Sequence, residues 1–227
     1  MMCPNIGQIM HESHEGKVVT NYREFVDQPI IQDFQKNGGK IHIATEGRTA
    51  EQIKVLQLQG HDCYSEKYVQ EVSKKWSQEL RTNHILHGYG YLQSNKARQA
   101  CLLFDVIESV GRDSIIEKLV SLNQGGLEIP PICIQVNLGG ETQKSGYLMK
   151  DADSAIEKSK DYGLKTVGVM AIPPKHENPV KYFRSLRKLA DRHQLSECVM
   201  GMSNDYQSAI DEGSTLIRVG RKIFGEK

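Results

Sequence analysis

The chain alternates short apolar runs with amphipathic helical stretches along almost its whole length, and this alternation restricts its fold more than any other feature. Alternating β and α elements at starts roughly 20 to 35 residues apart predict right-handed crossovers and a parallel sheet. Eight such units favour a (β/α)8 barrel, with a doubly wound sheet as the second choice. The eight predicted strands are Ile41–Ala44, Asp62–Tyr64, Ile85–Gly88, Asp105–Val110, Ile132–Leu138, Thr166–Ile172, Cys198–Met200 and Thr215–Val219.

The barrel is expected to be one domain, because no linker, low-complexity run or break in composition interrupts residues 41–227. Residues 1–40 are less regular and are interpreted as an N-terminal extension with a flanking helix, which starts near Pro29 and ends at Asn37-Gly38-Gly39. Within the barrel, Thr49 and Gln52 have the spacing of a capping box, and Asp113 is expected to cap a later helix.

Composition excludes several classes of function. The chain has 29 basic and 28 acidic residues and a net charge of +1, so binding to nucleic acid or an anionic membrane through bulk charge is not expected. No apolar stretch approaches the roughly 20 residues that span a bilayer, and no signal peptide is recognisable. The five cysteines form no CxxC pair, which indicates a reducing compartment. We therefore expect a soluble cytoplasmic protein.

One short segment, His11-Glu12-Ser13-His14-Glu15, contains residue types that bind metals. It has no partner at the spacing that a metal site requires, so the favoured interpretation is an ordinary polar tail. No metal site is predicted.

The strongest functional signal lies near the carboxyl end, where two strands each end in small or basic residues. Gly201-Met202-Ser203 follows one apolar run, and Arg218-Val219-Gly220 ends the next. Glycines let backbone N–H groups approach a ligand closely, and helix N-termini attract anions. In (β/α)8 barrels, a phosphate site typically forms from the loops after strands seven and eight. The sequence therefore predicts a phosphate-binding cradle at this end of the barrel.

From about Lys40 to Gly225 the chain resembles the pyridoxal phosphate (PLP) homeostasis family, the YggS/PROSC-type proteins. These are single barrels related to the N-terminal domain of alanine racemase. Each matching block is weak alone, but the order and spacing of all six agree with the family. The blocks are Tyr68-Val69-Gln70-Glu71; His87 with Gly90 and Leu92-Gln93-Ser94-Asn95-Lys96; Gln135-Val136-Asn137 with Glu141, Lys144 and Gly146; Gly168 to Pro173; and the two C-terminal segments.

The resemblance implies which residues would hold PLP. The phosphate would contact Ser203, the backbone of Gly201 and Met202, and the amides of Gly220 and Arg221, while Arg218 would face the pyridine nitrogen. A buried guanidinium needs an acceptor, so a salt bridge from Arg218 to a barrel carboxylate is the alternative. The resemblance also adds Asn137, Met170 and His87 to the candidate cofactor contacts. Core packing is the favoured interpretation of Met170, and a satisfied core histidine that of His87.

The chain departs from the family at the residue that binds the cofactor covalently. An ungapped alignment through Tyr68-Val69-Gln70-Glu71 places Glu46 at the family's Schiff-base lysine. A carboxylate cannot form a Schiff base with the aldehyde of PLP. Nearby, Lys67 replaces a family asparagine. Two hypotheses follow: Lys67 has taken over the aldehyde, or Lys67 and Glu46 form an ion pair in a site that no longer holds PLP covalently. The second is preferred, because productive geometry tolerates little displacement.

Milder departures surround the same site. Arg221 replaces the family's usual serine or threonine, which removes a hydroxyl and adds positive charge. Tyr89 and Tyr91 flank Gly90 and are expected to narrow the pocket, and Gly111 stands where an acidic residue is common in the family.

The resemblance and these departures from it predict a non-catalytic member of the PLP family, and the resemblance implies a monomer. It would bind PLP or a similar phosphorylated small molecule without covalent capture at residue 46, for cofactor handling or sensing. Racemase activity is not expected, because such enzymes need the Schiff-base lysine and an additional domain. Two alternatives remain: PLP held covalently by Lys67, and a degenerate barrel that serves only as an interaction scaffold.

Overall fold

The computed structural model describes residues 14–226. The strands in this part of the chain are β1 (Lys40–Ala44), β2 (Cys63–Glu66), β3 (Ile85–Gly88), β4 (Val106–Val110), β5 (Ile132–Asn137), β6 (Tyr147–Leu148), β7 (Thr166–Ala171), β8 (Glu197–Met202) and β9 (Leu216–Val219). The helices are α1 (His14–Val26), α2 (Pro29–Lys36), α3 (Ala50–Gln57), α4 (Val69–Lys75), α5 (Gln78–Arg81), α6 (Ala97–Leu103), α7 (Asp113–Gln124), α8 (Met149–Asp161), α9 (Val180–Arg192), α10 (Tyr206–Asp211) and α11 (Arg221–Phe224).

Eight of the strands close into a parallel barrel with helices between them. The neighbour order is β1, β2, β3, β4, β5, β7, β8 and β9, and β9 pairs back with β1. Ile43 of β1 shows the closure, since it aligns with Tyr64 of β2 on one side and Val219 of β9 on the other. The two-residue β6, which the apolar pattern did not predict, pairs with the carboxyl end of β5. The predicted (β/α)8 barrel is confirmed.

Helix starts follow the predicted chemistry at one place and differ at another. The capping box is present: the hydroxyl of Thr49 accepts the N–H of Gln52, whose side chain accepts the N–H of Thr49. The predicted cap at Asp113 is wrong. Arg112 precedes the helix and Asp113 is its first residue. The Asp113 carboxylate instead accepts the hydroxyl of Tyr147 at 2.7 Å and the ammonium of Lys158 at 2.7 Å, partners that the local sequence does not show.

The N-terminal helices pack on the barrel. α2 begins at Pro29 as predicted and ends before Asn37. Helix α1 was not predicted from the sequence; its Val18 and Phe25 belong to the main hydrophobic core. Asn21 of α1 donates to the carbonyl of Ile223 in α11 at 2.9 Å. The division of the chain after residue 40 stays a prediction, and the segment from residue 11 to residue 13 lies outside the described residues.

The interior of the barrel has an apolar side and a polar side. The apolar side is a cluster of Cys133, Met170, Val199 and Leu216. The polar side holds His42, His87, Glu108 and Arg218, each 5% exposed or less. Barrels of this type usually fill their interior with branched aliphatic side chains. Buried polar groups are costly unless they find hydrogen-bond partners. Glu108 joins His87 and Arg218 in one network, whereas His42 Nδ1 lies 3.2 Å from the carbonyl oxygen of Tyr64 and from Ser65 Oγ.

The structure bears on two expectations drawn from the sequence, which concern membrane-spanning helices and the state of the cysteines. None of the helices in residues 14–226 combines the length and apolar character that a membrane span requires. The four cysteines in this range, Cys63, Cys101, Cys133 and Cys198, are free thiols.

Acidification is expected to destabilise the fold, because His42 and His61 are buried as neutral imidazoles. Burial lowers the pKa of His42 well below its usual 6.5 and that of His61 to about 4. His42 Nε2 has no hydrogen-bond partner among the described residues, so a proton on this nitrogen would have no acceptor there. The unfolded chain therefore binds more protons than the folded chain between pH 6.5 and about pH 4, and stability is lost as pH falls through that window.

Urea titrations across this range measure the effect. We expect the free energy of unfolding to fall by up to about 1.4 kcal/mol per pH unit for each histidine. The His42→Leu variant should show a smaller slope, because it no longer has this imidazole to protonate. A free energy of unfolding that stays constant between pH 7 and pH 5 would contradict the prediction.

Candidate functional site

The main candidate site is a cavity of about 370 Å³ at the carboxyl ends of the barrel strands. Its volume lies within the range of small-molecule sites, and this face is where barrel proteins bind their ligands. The segments that follow β1, β3, β8 and β9 supply its walls. The lining residues are Ala44, Glu46, Arg48, Tyr89, Met202, Ser203, Arg218, Gly220, Arg221 and Glu226.

The predicted phosphate cradle forms one wall of this cavity. The N–H of Gly220 donates to Ser203 Oγ at 3.3 Å, so the hydroxyl of Ser203 can still donate its own proton to a ligand. Asp205 accepts the N–H of Met202 at 2.6 Å, and burial raises the pKa of this carboxyl. The helices behind the cradle have only six and four residues. Anion binding would therefore depend on Ser203, the Gly220 amide and the neighbouring Arg221.

Gly201 is required by the bend that places the cradle. Its φ is +98°, and a Cβ there would stand 2.6 Å from the Cβ of Ala209. Any other residue would be strained in this backbone conformation and would also push α10 away. The glycine thus allows β8 to turn directly into Met202 and Ser203.

Arg218 connects the cavity to the polar side of the barrel interior. Its guanidinium bonds to Glu108 Oε2, and Glu108 Oε1 lies 2.6 Å from His87 Nδ1. Burial lowers the pKa of Arg218 to about 10, which leaves it charged at neutral pH. Burial, with the charge of Arg218 as the next cause, also lowers the pKa of His87, so this imidazole is neutral. The salt bridge considered as an alternative for Arg218 is therefore present, while Arg218 also lines the cavity.

The ring of Tyr89 packs on this arginine, and both residues line the cavity. The Arg218 guanidinium lies 4.1 Å from the centre of the Tyr89 ring, and the Tyr89 hydroxyl donates to Glu46 Oε2 at 3.0 Å. Burial is the main cause that raises the pKa of Tyr89. The following residue must be glycine, because a Cβ on Gly90 would overlap the carbonyl oxygen of Lys67 at 1.8 Å. The ring of Tyr89 is therefore held between an arginine and a carboxylate.

Glu46 and Lys67 approach each other at the mouth of the cavity. Lys67 Nζ lies 3.7 Å from Glu46 Oε2, which is the ion pair that the sequence analysis preferred. Glu46 lines the main cavity, whereas Lys67 lines a separate narrow cleft beside Gly90. The carboxylate, and not the amine, faces the space next to the cradle.

A buried ion pair fixes the backbone that carries Glu46. Glu66 at the end of β2 accepts the hydroxyl of Thr45 at 2.5 Å and the indole N–H of Trp76 at 3.0 Å. Lys75 pairs with Glu66 at 2.6 Å and donates to the carbonyl of Thr45 at 2.6 Å. Because both the side chain and the carbonyl of Thr45 are bonded, the next residue leaves β1 in a defined direction.

Three candidates from the sequence lie outside the lining of the cavity. Met170 is fully buried in the apolar side of the barrel interior. The Asn137 amide donates to the carbonyls of Glu141 and Lys144, so it holds the loop after β5. His87 bonds to Glu108 beneath Arg218. For these three, packing and internal hydrogen bonds account for the side chains as the structure places them.

Two residues that shape the site were not predicted from the sequence. Glu108 is the acceptor for Arg218, and its signal was a charged residue inside the apolar run of β4. Arg48 lines the cavity and stacks over the ring of Phe224 at 4.8 Å. It stands only two residues after Glu46, but no spacing rule distinguishes such a loop arginine from a solvated one.

Comparison with known proteins agrees with this architecture. No protein-family model matches the chain. The chain is 32% identical over 202 residues to the pyridoxal phosphate homeostasis protein of Aquifex aeolicus, and the match covers 85% of this chain and 89% of that protein. The chain belongs to the pyridoxal phosphate homeostasis protein family. The family member from Pseudomonas aeruginosa is 33% identical over 186 residues, which cover 79% of this chain and 81% of that protein.

Solved structures show the same barrel in relatives of this family. PipY of Synechococcus elongatus, solved with PLP bound, superimposes with a TM-score of 0.79 at 26% identity, covering 92% of this chain and 100% of PipY. Alanine racemase of Corynebacterium glutamicum gives a TM-score of 0.69 at 13% identity, over 94% of this chain and 61% of the racemase. At that identity the likeness shows the fold alone. The predicted alanine racemase type of barrel is confirmed.

Proposed function

We propose that this family member binds PLP, or a closely similar phosphorylated small molecule, in the main cavity, and that it does not hold the ligand covalently at residue 46. One observation carries the proposal: Ser203, Gly220 and Arg218 line one cavity in which Glu46 stands at the end of β1. The relative solved with PLP bound supports the choice of ligand.

The residues present fit the phosphate and the ring of PLP. Ser203 and the Gly220 amide offer neutral donors, and Arg221 adds positive charge at the same wall. Gly220 lies close to β1, because a Cβ there would make a tight contact of 3.3 Å with the carbonyl oxygen of Ala44. Arg218 Nε is buried and has no partner among the described residues, so it is a donor that a ring acceptor would satisfy. When bound, PLP would supply an aldehyde; this chain supplies binding and orientation.

The same cavity supports a non-catalytic role in cofactor handling or sensing. PLP enzymes hold the aldehyde of the cofactor through a lysine amine. The residues that line the main cavity include no lysine; Lys67 lines the separate cleft beside Gly90, and its Nζ is paired with Glu46 Oε2 at 3.7 Å. This placement disfavours covalent capture by Lys67. A pure scaffold would not need a hydroxyl and a glycine amide on the wall of a cavity. As part of the same proposal, the protein acts as a monomer in the cytoplasm.

Thermal-shift titration tests the proposal. PLP, pyridoxine 5′-phosphate and inorganic phosphate should each raise the unfolding temperature, because all three carry the group that the cradle binds; at 100 times Kd a ligand stabilises by about 2.7 kcal/mol. Ser203→Ala should weaken binding of each by about tenfold or more, since a hydrogen bond to a charged group contributes about 1.5–3 kcal/mol.

The matched control is Ser185→Ala, because Ser185 lies on the exposed surface of α9 and bonds to the carbonyl of Lys181. It should bind all three ligands as the wild type does. The proposal fails if none of the ligands shifts the unfolding temperature, or if both serine variants bind equally well. Borohydride reduction of the wild type with PLP should leave Lys67 unmodified; a pyridoxyl group on Lys67 would establish the covalent alternative.

A further inference from the structure

The lining of the cavity includes a carboxylate acceptor, Glu46, as well as an anion-binding wall. β1 and β9 are neighbours, with Ile43 aligned to Val219, so Glu46 and Gly220 leave adjacent strand ends. Both line the main cavity together with Ser203. A ligand whose phosphate lies against Ser203 and Gly220 would therefore extend towards the carboxylate of Glu46.

Glu46 is held towards the cavity by the residues around it. Tyr89 donates to its Oε2, and the ring of Tyr89 is itself packed on Arg218. On the other side, Thr45 is bonded through both its hydroxyl and its carbonyl. The carboxylate is thus a positioned group rather than a mobile surface charge, and its two oxygens can accept about four hydrogen bonds.

An ionised carboxylate accepts hydrogen bonds and donates none. An aldehyde oxygen next to the Glu46 carboxylate would form no hydrogen bond with it, because both groups are acceptors. A hydroxyl would donate one hydrogen bond, and a primary ammonium would donate up to three and carry the opposite charge. The ammonium would also offset the repulsion between Glu46 and the phosphate of the same ligand.

We propose that the site selects a phosphate ester that carries a primary amine, and prefers this amine form of the cofactor over the aldehyde form. The inference rests on the proposed function, because it takes the phosphate cradle as given and adds the chemistry of the carboxylate that shares its cavity. Glu46 is then the residue that determines specificity.

Lys67 does not replace the ligand amine in this arrangement. Its Nζ is 3.7 Å from Glu46 Oε2, which is longer than the 2.7–2.9 Å of a charge-assisted hydrogen bond. The Lys67 side chain is 42% exposed and lines the cleft beside Gly90, so it can remain solvated while a ligand ammonium approaches Glu46 from the cavity.

Isothermal titration calorimetry at pH 7.5 tests the inference with three probes: pyridoxamine 5′-phosphate, pyridoxine 5′-phosphate and PLP. We expect the wild type to bind the amine at least about tenfold more tightly than the alcohol, and the alcohol more tightly than the aldehyde. In Glu46→Gln the amine should lose this advantage, with the amine and the alcohol binding within about threefold of each other, because a neutral amide attracts ammonium weakly.

Glu128→Gln is the charge-matched control. Glu128 is exposed and precedes β5, at the opposite end of the barrel from the cavity, so this variant should keep the wild-type ranking. Equal affinities for the three probes, or tightest binding of PLP, would overturn the inference and leave the phosphate cradle standing. Failure of all three probes and of inorganic phosphate to bind would overturn the proposed function as well. Retention of the amine preference in Glu46→Gln would assign the preference to another residue and overturn the role of Glu46.

Discussion

Replacing Glu46 by lysine is expected to give this protein a covalent, borohydride-reducible bond to PLP that the wild type does not form. Position 46 follows β1 and lines the same cavity as the cradle, so an amine there would reach a ligand anchored at Ser203. The charge of Lys67, which lies 3.7 Å from the present carboxylate, would lower the pKa of the new amine. A larger neutral fraction makes the amine a better nucleophile.

The chemistry of this variant is complete without another reactant. The amine nitrogen attacks the aldehyde carbon, a C=N bond forms and water leaves; borohydride then reduces this bond to a stable secondary amine. Peptide mass spectrometry should find the pyridoxyl group at residue 46, and PLP affinity should rise by about tenfold or more, which corresponds to 1.4 kcal/mol.

Two further variants make the Glu46→Lys result interpretable. Glu46→Gln should show no adduct after reduction. Adding Lys67→Met to Glu46→Lys should keep the adduct but weaken it at neutral pH, because the new amine would be more fully protonated. An adduct on Lys67 in any of these proteins, or no adduct in Glu46→Lys while inorganic phosphate still binds, would contradict the placement of residue 46.

Removing Glu108 is expected to be the most destabilising single substitution in the barrel interior. Glu108 is 0% exposed and Arg218 5% exposed, so Glu108→Ala would leave a buried guanidinium without its carboxylate. Loss of one partner from a buried ion pair costs about 3–5 kcal/mol, which is a large part of the stability of an ordinary domain. His87 would lose its hydrogen-bond partner as well.

Urea denaturation of a short series measures this effect and its cause. Glu108→Gln should cost less than Glu108→Ala, because the amide oxygen can still accept from Arg218. The double variant Glu108→Leu with Arg218→Met should recover most of the loss, since well-packed apolar side chains often replace a buried ion pair at little cost. A decrease below about 1 kcal/mol in Glu108→Ala would show that the pair is not responsible for the stability of this region.

The fold was largely predictable because the spacing of the apolar runs along the sequence gives the positions of the strands. All eight barrel strands lie at their expected places. The largest boundary differences are at the carboxyl ends of β2, which continues through the polar Ser65 and Glu66, and of β8, which continues through Gly201 and Met202. The pattern missed α1 and β6. A two-residue strand has no periodicity, and the apolar face of α1 is recognisable only once α11 and α3 are present to cover it.

The candidate site was predictable in part. Ser203, Gly220 and Arg218 were found because small residues, a hydroxyl and a guanidinium stand at two neighbouring strand ends, and strand ends of a parallel barrel meet at one face. Glu108 and Tyr89 could not be assigned to Arg218 in the same way. Their contacts join β4, the segment after β3 and β9, which are far apart in the chain, and no local spacing encodes those contacts.

The sequence by itself determined the barrel and the family, because both depend on residue type and spacing along the chain. It also predicts that Glu46 stands at the Schiff-base position of the family. Only the tertiary structure decided the partners and positions of the charged side chains in the site. It pairs Arg218 with Glu108, holds Tyr89 between Arg218 and Glu46, and places Glu46 in the cavity with Lys67 outside it. These choices follow from the closure of β9 onto β1, which brings distant strand ends within hydrogen-bond reach.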